Sequence, residues 1–107
     1  MDHFLKLESI PEKEIIKGFH AKFIHTDNMT IAYWRIEKGA VLPLHSHIHE
    51  QVTNVLDGQF EMTVGDKTSI CENGKVVAIP SNIPHGGKAI TDCFILDIFQ
   101  PVREDYR

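Results

Sequence analysis

Turn-forming dipeptides divide this chain into short extended stretches, and this division constrains the fold more than any other feature. Four such dipeptides have the residue types that tight turns require: Lys38-Gly39, Asp57-Gly58, Gly65-Asp66 and Asn73-Gly74. The stretches that they bound, at 51–57, 59–65, 67–72 and 75–80, together with a last one at 92–99, are rich in β-branched and aromatic residues. Short strands separated by turns about every 8 to 12 residues predict an all-β sandwich or a small barrel.

The N-terminal part of the chain follows the same pattern. Apolar residues at Phe19, Ala21 and Phe23 alternate with other residues, and the turn dipeptide Asp27-Asn28 separates them from a second extended stretch at 29–37. This pattern predicts a β-hairpin. Only the segment EKEIIKG at 12–18 has helical character. At 107 residues the chain has room for one core, so we expect a single domain over residues 1–107.

Charge and hydropathy exclude several classes of function. The net charge is −4 and no run of basic residues is present, which predicts no nucleic-acid partner. The longest apolar runs, such as 76–79, are far too short to cross a bilayer, so no membrane span is expected. The N-terminus lacks the pattern of a secretory signal, which favours a cytoplasmic location. Cys71 and Cys93 lie outside any paired motif and are expected to be reduced and partly buried.

Three histidines at alternate positions form the most informative stretch, HSHIHEQ at 45–51. If this stretch is extended, residues two apart point to one face, so that His45, His47 and His49 share it. Neutral imidazole is a common ligand for first-row transition metals, which makes a metal site one interpretation. The other is that these are scattered surface or hydrogen-bonded histidines. The stretch by itself leaves both open.

Spacing around the histidines matches a known pattern. The first half reads Gly39-x5-His45-x-His47-x3-Gln51-x6-Gly58 and the second reads Gly74-x5-Pro80-x-Asn82-x2-His85. These resemble the two motifs of the cupin family, G-x5-H-x-H-x3-E-x6-G and G-x5-P-x-G-x2-H-x3-N. The chain departs from them by having Gln51 in place of glutamate, Asn82 in place of glycine and Ala89 in place of asparagine. Asparagine tolerates a left-handed backbone, so we expect the turn before His85 to survive.

The resemblance implies a cupin-type jelly-roll β-barrel that holds one divalent metal ion, which could be Ni, Zn, Fe, Mn or Co. The metal ligands that it implies are His45, His47, Gln51 and His85. Three imidazoles and an amide oxygen suit such an ion and leave positions open for substrate. His49 does not fit the family spacing and is expected on the rim. Because the amide of Gln51 is neutral, the ion keeps its full charge, which favours an anionic chelating substrate and Lewis acid catalysis.

A second group of candidate residues lies at the C-terminus. Along the last strand Ile95, Asp97 and Phe99 share one face, so an acid occurs where an apolar strand would continue. A buried acid beside a metal is a candidate acid/base group, whereas the alternative is a solvent-facing carboxylate on an edge strand. Arg103 could likewise be an ordinary member of a charged tail. The pattern D-x-F-x-P-x-R-E-D-Y at 97–106 resembles small cupins of the KdgF type, which act in bacterial degradation of pectin and alginate.

That resemblance implies a metal-dependent enzyme that converts C4,C5-unsaturated monouronates to linear keto-uronates by ring opening and enol-to-keto tautomerisation. Asp97 would be the acid/base catalyst. Arg103 would bind the anionic end of the small sugar-acid substrate or set the charge of Asp97, and Phe99 would form a wall that excludes water. A homodimer is expected, both by resemblance and because an open sheet edge invites pairing. Two rival functions remain on the same barrel: a metal-dependent dioxygenase and a non-catalytic protein that binds a small ligand.

Overall fold

Two antiparallel β-sheets face each other in a computed structural model that describes residues 2–107. The strands are β1 (Lys13–Ile16), β2 (Phe19–His25), β3 (Thr30–Ile36), β4 (Val41–His45), β5 (Glu50–Asp57), β6 (Phe60–Val64), β7 (Lys67–Cys71), β8 (Val76–Ile79), β9 (His85–Ala89) and β10 (Cys93–Gln100). One sheet has six strands in the order β1-β2-β3-β10-β5-β8, and the other has four in the order β4-β9-β6-β7. This is the all-β jelly-roll architecture that the sequence predicts.

Most of the predicted strands are confirmed. β2 and β3 form the N-terminal hairpin, with Phe19 opposite Ile36 and His25 opposite Thr30. The prediction of a helical segment at 12–18 is wrong, because this segment contains β1, which pairs with β2. The side chain of Ile15 in this strand packs against the core, so tertiary burial overrides the local helical pattern. β4 and β9 were not predicted because Pro43 interrupts the former and two glycines the latter.

The core lies between the two sheets and is formed by the inward faces of their strands. Phe19 is one of its residues and makes edge-to-face contacts with Trp34 and with Phe60. Both cysteines are free and buried, as expected. Thr30, Gln51, Thr53, His85, Asp97 and Arg103 are the polar residues buried among these apolar side chains. A core of this size does not bury so many polar groups unless they have partners or a function.

Two turns with a left-handed backbone are notable: one lies beside the polar part of the core, and the other lies at the opposite end of β5. Asn82 has φ of 64°, as expected for an asparagine in place of the family glycine. Its backbone N–H donates to the carbonyl of His47 at 2.7 Å, which joins the two loops that precede β5 and β9. Gly58 has φ of 85° in the turn between β5 and β6, where a side chain would collide with the backbone of Asp92.

In the part of the chain that the structure describes, helical structure is limited to two short 3₁₀ segments, at Leu7–Ser9 and Glu104–Tyr106. Within residues 2–107 no helix combines the length and the apolar character that crossing a membrane requires. The second 3₁₀ segment packs under the open end of the barrel, where Tyr106 stacks on Phe23 with ring centroids 4.7 Å apart.

Candidate functional site

Three histidines from two parts of the chain meet at one place. His45 is the last residue of β4 and lies opposite His85, the first residue of β9. His47 follows in the loop between β4 and β5. One ring nitrogen from each of the three lies within 4.8 Å of the others. The expectation that 45–49 alternates as a strand is wrong, because β4 ends at His45, yet the loop still turns the ring of His47 toward the cluster.

Each of the three rings is held by the same kind of hydrogen bond. In His45, His47 and His85 the Nδ1 atom lies 2.8, 3.0 and 2.9 Å from a backbone carbonyl oxygen two residues away along the chain. A carbonyl only accepts, so Nδ1 carries the hydrogen in each ring and Nε2 keeps a lone pair. This orientation is typical of metal-binding histidines, whose other nitrogen bonds to a carbonyl or carboxylate.

Gln51 completes the cluster from β5, where it is buried. Its Oε1 lies 3.1 Å from Nε2 of His47. Since Nδ1 of His47 donates to the carbonyl of His49, both atoms in this contact are acceptors. Two acceptors face each other favourably only when a positive charge lies near both. Nε2 of His85 is also buried without a hydrogen-bond partner among residues 2–107. These nitrogen and oxygen lone pairs are therefore suited to bind a divalent cation.

Burial keeps two of these imidazoles neutral. It lowers the pKa of His47 to about 4, and the charge of Arg103 and the ring of His85 act in the same direction. Burial also lowers the pKa of His85 below its ordinary value, against the hydrogen bond to the carbonyl of Ile83. Neutral imidazole is the form that binds a metal, so both rings are ready ligands at neutral pH.

The cluster does not include His49. Its ring lies beside His47 with centroids 5.4 Å apart, and its carbonyl holds Nδ1 of His47. A second group of metal-type side chains, Glu14, His20 and Glu37, is on the outside of the six-stranded sheet. There His20 Nε2 lies 2.7 Å from a carboxylate oxygen of Glu37, which accounts for the group as an exposed hydrogen-bonded pair.

Asp97 faces the interior from β10 with only 7% of its surface exposed, so the alternative of a solvent-facing carboxylate is wrong. It lies opposite Thr53 on β5, and the hydroxyl of Thr53 donates to Oδ1 at 2.6 Å. Burial raises the pKa of Asp97 to about 6, while the hydrogen bonds from Thr53 and Gln51 oppose the rise. A carboxyl with this pKa exchanges a proton close to neutral pH.

Arg103 is also buried, so it is not an ordinary member of a charged tail. Its guanidinium lies over the rings of Phe99 and Tyr106, at 4.8 and 4.1 Å from their centroids. Its Nε and Nη2 donate to the two oxygens of Asp105 at 3.0 and 2.7 Å. Burial disfavours the charge of Arg103, but the bond to Asp105 holds its pKa above the ordinary value. The cation is thus fixed in orientation.

A cavity of about 280 Å³ connects these groups. Its polar lining consists of His45, Gln51, Thr53, His85, Asp97 and Arg103. Phe99 forms one wall, and apolar side chains such as Ile15, Leu42 and Met62 form much of the remainder. All the predicted site residues except His47 therefore line one cavity, and His47 adjoins it through Gln51 and through ring contact with His85.

Sequence reasoning missed three residues of the site. Thr53 is two positions from Gln51 on the same strand face, so alternation along β5 could have found it. Trp34 also lines the cavity, but in the sequence it is an ordinary inward residue of a hairpin strand. Tyr106 reaches the cavity from the C-terminal 3₁₀ segment, and nothing in the spacing of the sequence indicates that this segment folds back.

Comparison with known proteins agrees with this geometry. The cupin domain family matches residues 32–99, which include every predicted site residue except Arg103. The chain belongs to the cupin family. The cupin fold commonly binds a metal, and the histidine cluster of this cupin is a candidate site for one.

Several relatives match all or nearly all of the length of this cupin. The pectin degradation protein KdgF of Dickeya dadantii is 28% identical over 102 residues, which cover 92% of this chain and 93% of the relative. The crystal structure of an RmlC-like cupin from Shewanella frigidimarina, 26% identical, superposes with a TM-score of 0.94 over 100% of this chain and 97% of that one. The structure of KdgF from a Halomonas species, 24% identical, gives 0.93 over 100% of both chains. The resemblance to KdgF-type cupins is thus confirmed.

Proposed function

We propose that this cupin is a metal-dependent enzyme of pectin or alginate breakdown, which converts C4,C5-unsaturated monouronates to linear keto-uronates. The observation that carries the proposal is that a buried carboxyl, Asp97, and a buried guanidinium, Arg103, line the same cavity as the histidine cluster. A protein that only binds a ligand does not need a buried acid beside its cation site. The similarity to the pectin degradation protein KdgF supports the choice of substrate class.

The reaction is an isomerisation, so every proton that is lost must be regained. Ring opening breaks the bond between C1 and the ring oxygen: the C1 hydroxyl gives up its proton as C1 becomes an aldehyde, and the ring oxygen stays on C5 as an enolate. The C4 carbon then gains a proton as the C4–C5 double bond becomes a single bond and C5 becomes a keto group. Asp97 is the group that holds and transfers this proton, because its pKa of about 6 allows both protonation states near neutral pH.

His45, His47, Gln51 and His85 would hold one divalent ion, which is Ni, Zn, Fe, Mn or Co. When bound, such an ion supplies positive charge that stabilises the developing enolate beside the C6 carboxylate. The four residues contribute no negative charge of their own. The site therefore favours an anionic substrate more than a site with a glutamate at position 51 would.

Arg103 and Phe99 would hold the substrate. The guanidinium is a partner for the carboxylate of the sugar acid, since its planar fork matches two oxygens. Stacking against Phe99 and Tyr106 fixes the plane of this fork before substrate arrives. Phe99 covers the side of the cavity next to His47, with ring centroids 5.9 Å apart, and excludes water from the reacting atoms.

One assay tests the function directly. The metal-loaded protein is mixed with an unsaturated monouronate, and the ultraviolet absorbance of the conjugated double bond is followed together with dissolved oxygen. Loss of absorbance without oxygen uptake is the expected result. Oxygen uptake in step with substrate loss would identify a dioxygenase, and constant absorbance with tight uronate binding would identify a ligand-binding cupin.

We also propose that the protein forms a homodimer through the outer face of the six-stranded sheet. Pairing across β3, β10, β5 and β8 aligns two rows of side chains on this face: Ile31, Ile98, Val52 and Ala78, and Tyr33, Leu96, Asn54 and Val76. Seven of the eight are apolar or aromatic and none is charged. Monomers rarely expose a continuous apolar patch of this kind.

A second copy of the chain fits this face by charge as well. In the next row Phe94 lies between Arg35 on β3 and Asp57 on β5. A two-fold axis parallel to β10 would bring Arg35 of one copy opposite Asp57 of the other. Within its own copy Arg35 also donates to both oxygens of Glu12, at 3.2 and 2.7 Å. The interface would thus use the face of the sheet and not its open edge.

Because Cys71 and Cys93 are both free, the expected site of action is the reducing cytoplasm.

A further inference from the structure

Thr53 lies between the predicted metal ligand and the predicted proton carrier. It is 1% exposed, two positions from Gln51 along β5 and directly opposite Asp97 on β10. Its hydroxyl contacts both side chains, with 2.6 Å from Oγ1 to Oδ1 of Asp97 and 2.9 Å from Nε2 of Gln51 to Oγ1. No role in metal binding or catalysis follows from its residue type alone, so its effect must come through these two contacts.

The hydroxyl has a single hydrogen, which determines the direction of both bonds. In the ionised form of Asp97 the carboxylate oxygen only accepts, so the hydrogen of Thr53 is used in the bond to Asp97. The distance of 2.6 Å is typical of a hydroxyl that donates to a charged oxygen. The remaining lone pairs of Thr53 can only accept, and they accept from the amide N–H of Gln51.

The direction of that bond fixes which end of the Gln51 amide faces the histidines. With Nε2 donating to Thr53, Oε1 is turned toward Nε2 of His47, 3.1 Å away. An amide that was turned round would point its N–H hydrogens at a cation and could not bind it. A glutamate would have no such requirement, because its two oxygens are equivalent.

We propose that Thr53 is a positioning residue, which orients the amide of Gln51 so that its oxygen and not its nitrogen is presented to the divalent ion. The inference rests on the metal site of the proposed function. It explains how a neutral glutamine can be a metal ligand where cupins more often have glutamate. A carboxylate presents an oxygen in either orientation, whereas the amide of Gln51 needs the hydroxyl of Thr53 to turn its oxygen toward the ion. Through the same hydroxyl, the position of Asp97 is tied to that of the metal ligand.

Co²⁺ titration of the metal-free protein tests this role without the enzymatic reaction. Thr53→Val removes the hydroxyl and keeps the branched shape, so Co²⁺ affinity should fall about 10- to 100-fold, the usual effect of losing a group that orients a ligand. The visible absorption of bound Co²⁺ should also change as the amide oxygen leaves the metal. Thr53→Ser keeps the hydroxyl and should recover affinity and spectrum. Thr68→Val, an exposed threonine on β7, is the matched control and should equal wild type.

A double-mutant cycle separates orientation from general structural damage. In the Gln51→Glu background the ligand needs no orientation, so Thr53→Val should change Co²⁺ affinity much less than it does beside Gln51. An equal loss in both backgrounds would overturn the proposal, as would wild-type affinity and spectrum in Thr53→Val. Thr53→Ala gives the same comparison if the valine variant does not fold.

The outcomes also distinguish this inference from the function on which it rests. Failure of the wild type to bind Co²⁺ would remove the metal site and this role together. Tight binding in the wild type with no effect of Thr53→Val would remove only the role of Thr53. The predicted pattern of Co²⁺ affinities in a protein without activity on uronates would support the role of Thr53 and overturn only the assignment of substrate.

Discussion

Thr53 and Asp97 lie directly opposite each other on β5 and β10, and the hydroxyl of Thr53 donates to the buried carboxyl at 2.6 Å. This contact places an acid in the interior with a partner that favours its charged form, while burial favours its neutral form. The opposing effects leave the pKa near neutrality. Since β5 also carries Gln51, the acid and the metal ligand are parts of one hydrogen-bonded chain.

The first prediction concerns Asp97 as the proton carrier. Asp97→Asn keeps the shape of the side chain and its acceptor oxygen for Thr53, so the fold and the metal content should be unchanged. Turnover of the unsaturated uronate should fall by about 10² to 10⁴, which is the usual contribution of general acid/base catalysis. The measurement is kcat at matched metal occupancy. Near-equal rates in wild type and variant would exclude Asp97 as the proton donor.

The second prediction concerns the metal ligands. His45→Ala or His47→Ala removes one of four donors, and elemental analysis after dialysis should find far less metal than in the wild type. His20→Ala is the control, since His20 belongs to the exposed group with Glu14 and Glu37. Its metal content should match the wild type. Full metal content in both His45→Ala and His47→Ala together with loss in His20→Ala would place the metal at the exposed group instead.

The third prediction is a dependence of stability on pH in the chelator-treated protein. The pKa of Asp97 is about 6 in the folded state and about 3.9 in an unfolded chain. Between these values the folded state binds more protons than the unfolded state, so the free energy of unfolding decreases as pH rises from about 4 to about 6. Asp97→Asn has no ionisable group at this position, so its free energy of unfolding should lack this decrease.

Thermal unfolding of the wild type and of Asp97→Asn checks the direction of this pH dependence. Asp97→Asn should melt at a higher temperature than the wild type at pH 7.5, and the difference should shrink as the pH approaches 4. A constant difference over this range would mean that Asp97 has an ordinary pKa in the folded protein. An opposite trend would mean that the folded protein stabilises its charge.

The strand pattern and the ligand spacing were predictable from the sequence because both depend on local properties. Turn dipeptides mark the ends of β5, β6 and β7, and a period of two fixes which residues of β10 face inward. Asp97 and Phe99 therefore point inward as expected. The motif spacing likewise selected His45, His47 and His85 before the structure brought them together.

The parts of the fold and of the site that the sequence did not predict depend on tertiary contacts that no local pattern encodes. β1 looks helical in sequence, but its isoleucines lie against the open end of the barrel, and pairing with β2 makes it a strand. The C-terminal segment folds back because the backbone N–H of Arg103 donates to the hydroxyl of Thr30 at 2.8 Å, a contact between residues 73 positions apart. Tyr106 reaches Phe23 and the cavity only as a result of that fold, whereas the contact between Arg103 and Asp105 is local, two positions apart.

The fourth prediction concerns Arg103 and its ion pair with Asp105. If the guanidinium binds the substrate carboxylate, Arg103→Ala should raise KM at least about tenfold, since a hydrogen bond to a charged group contributes about 1.5–3 kcal/mol. Asp105 occupies the Nε and Nη2 edge of the same guanidinium. Asp105→Asn should therefore lower KM by removing a competing carboxylate. Unchanged KM and kcat in Arg103→Ala would exclude a contact with substrate.

The last prediction tests the homodimer through a substitution at the centre of the apolar face. Val52 is 37% exposed and lies in the row between Ile98 and Ala78. Val52→Glu would bury a charge twice at an interface with two-fold symmetry, because the same residue occurs on both copies. Sedimentation at micromolar concentration should give a dimer for the wild type and a monomer for the variant. Ile70→Glu on the other sheet, where Ile70 is 50% exposed, is the matched control and should stay dimeric. A monomeric wild type, or a dimer that only Ile70→Glu disrupts, would exclude this face as the interface.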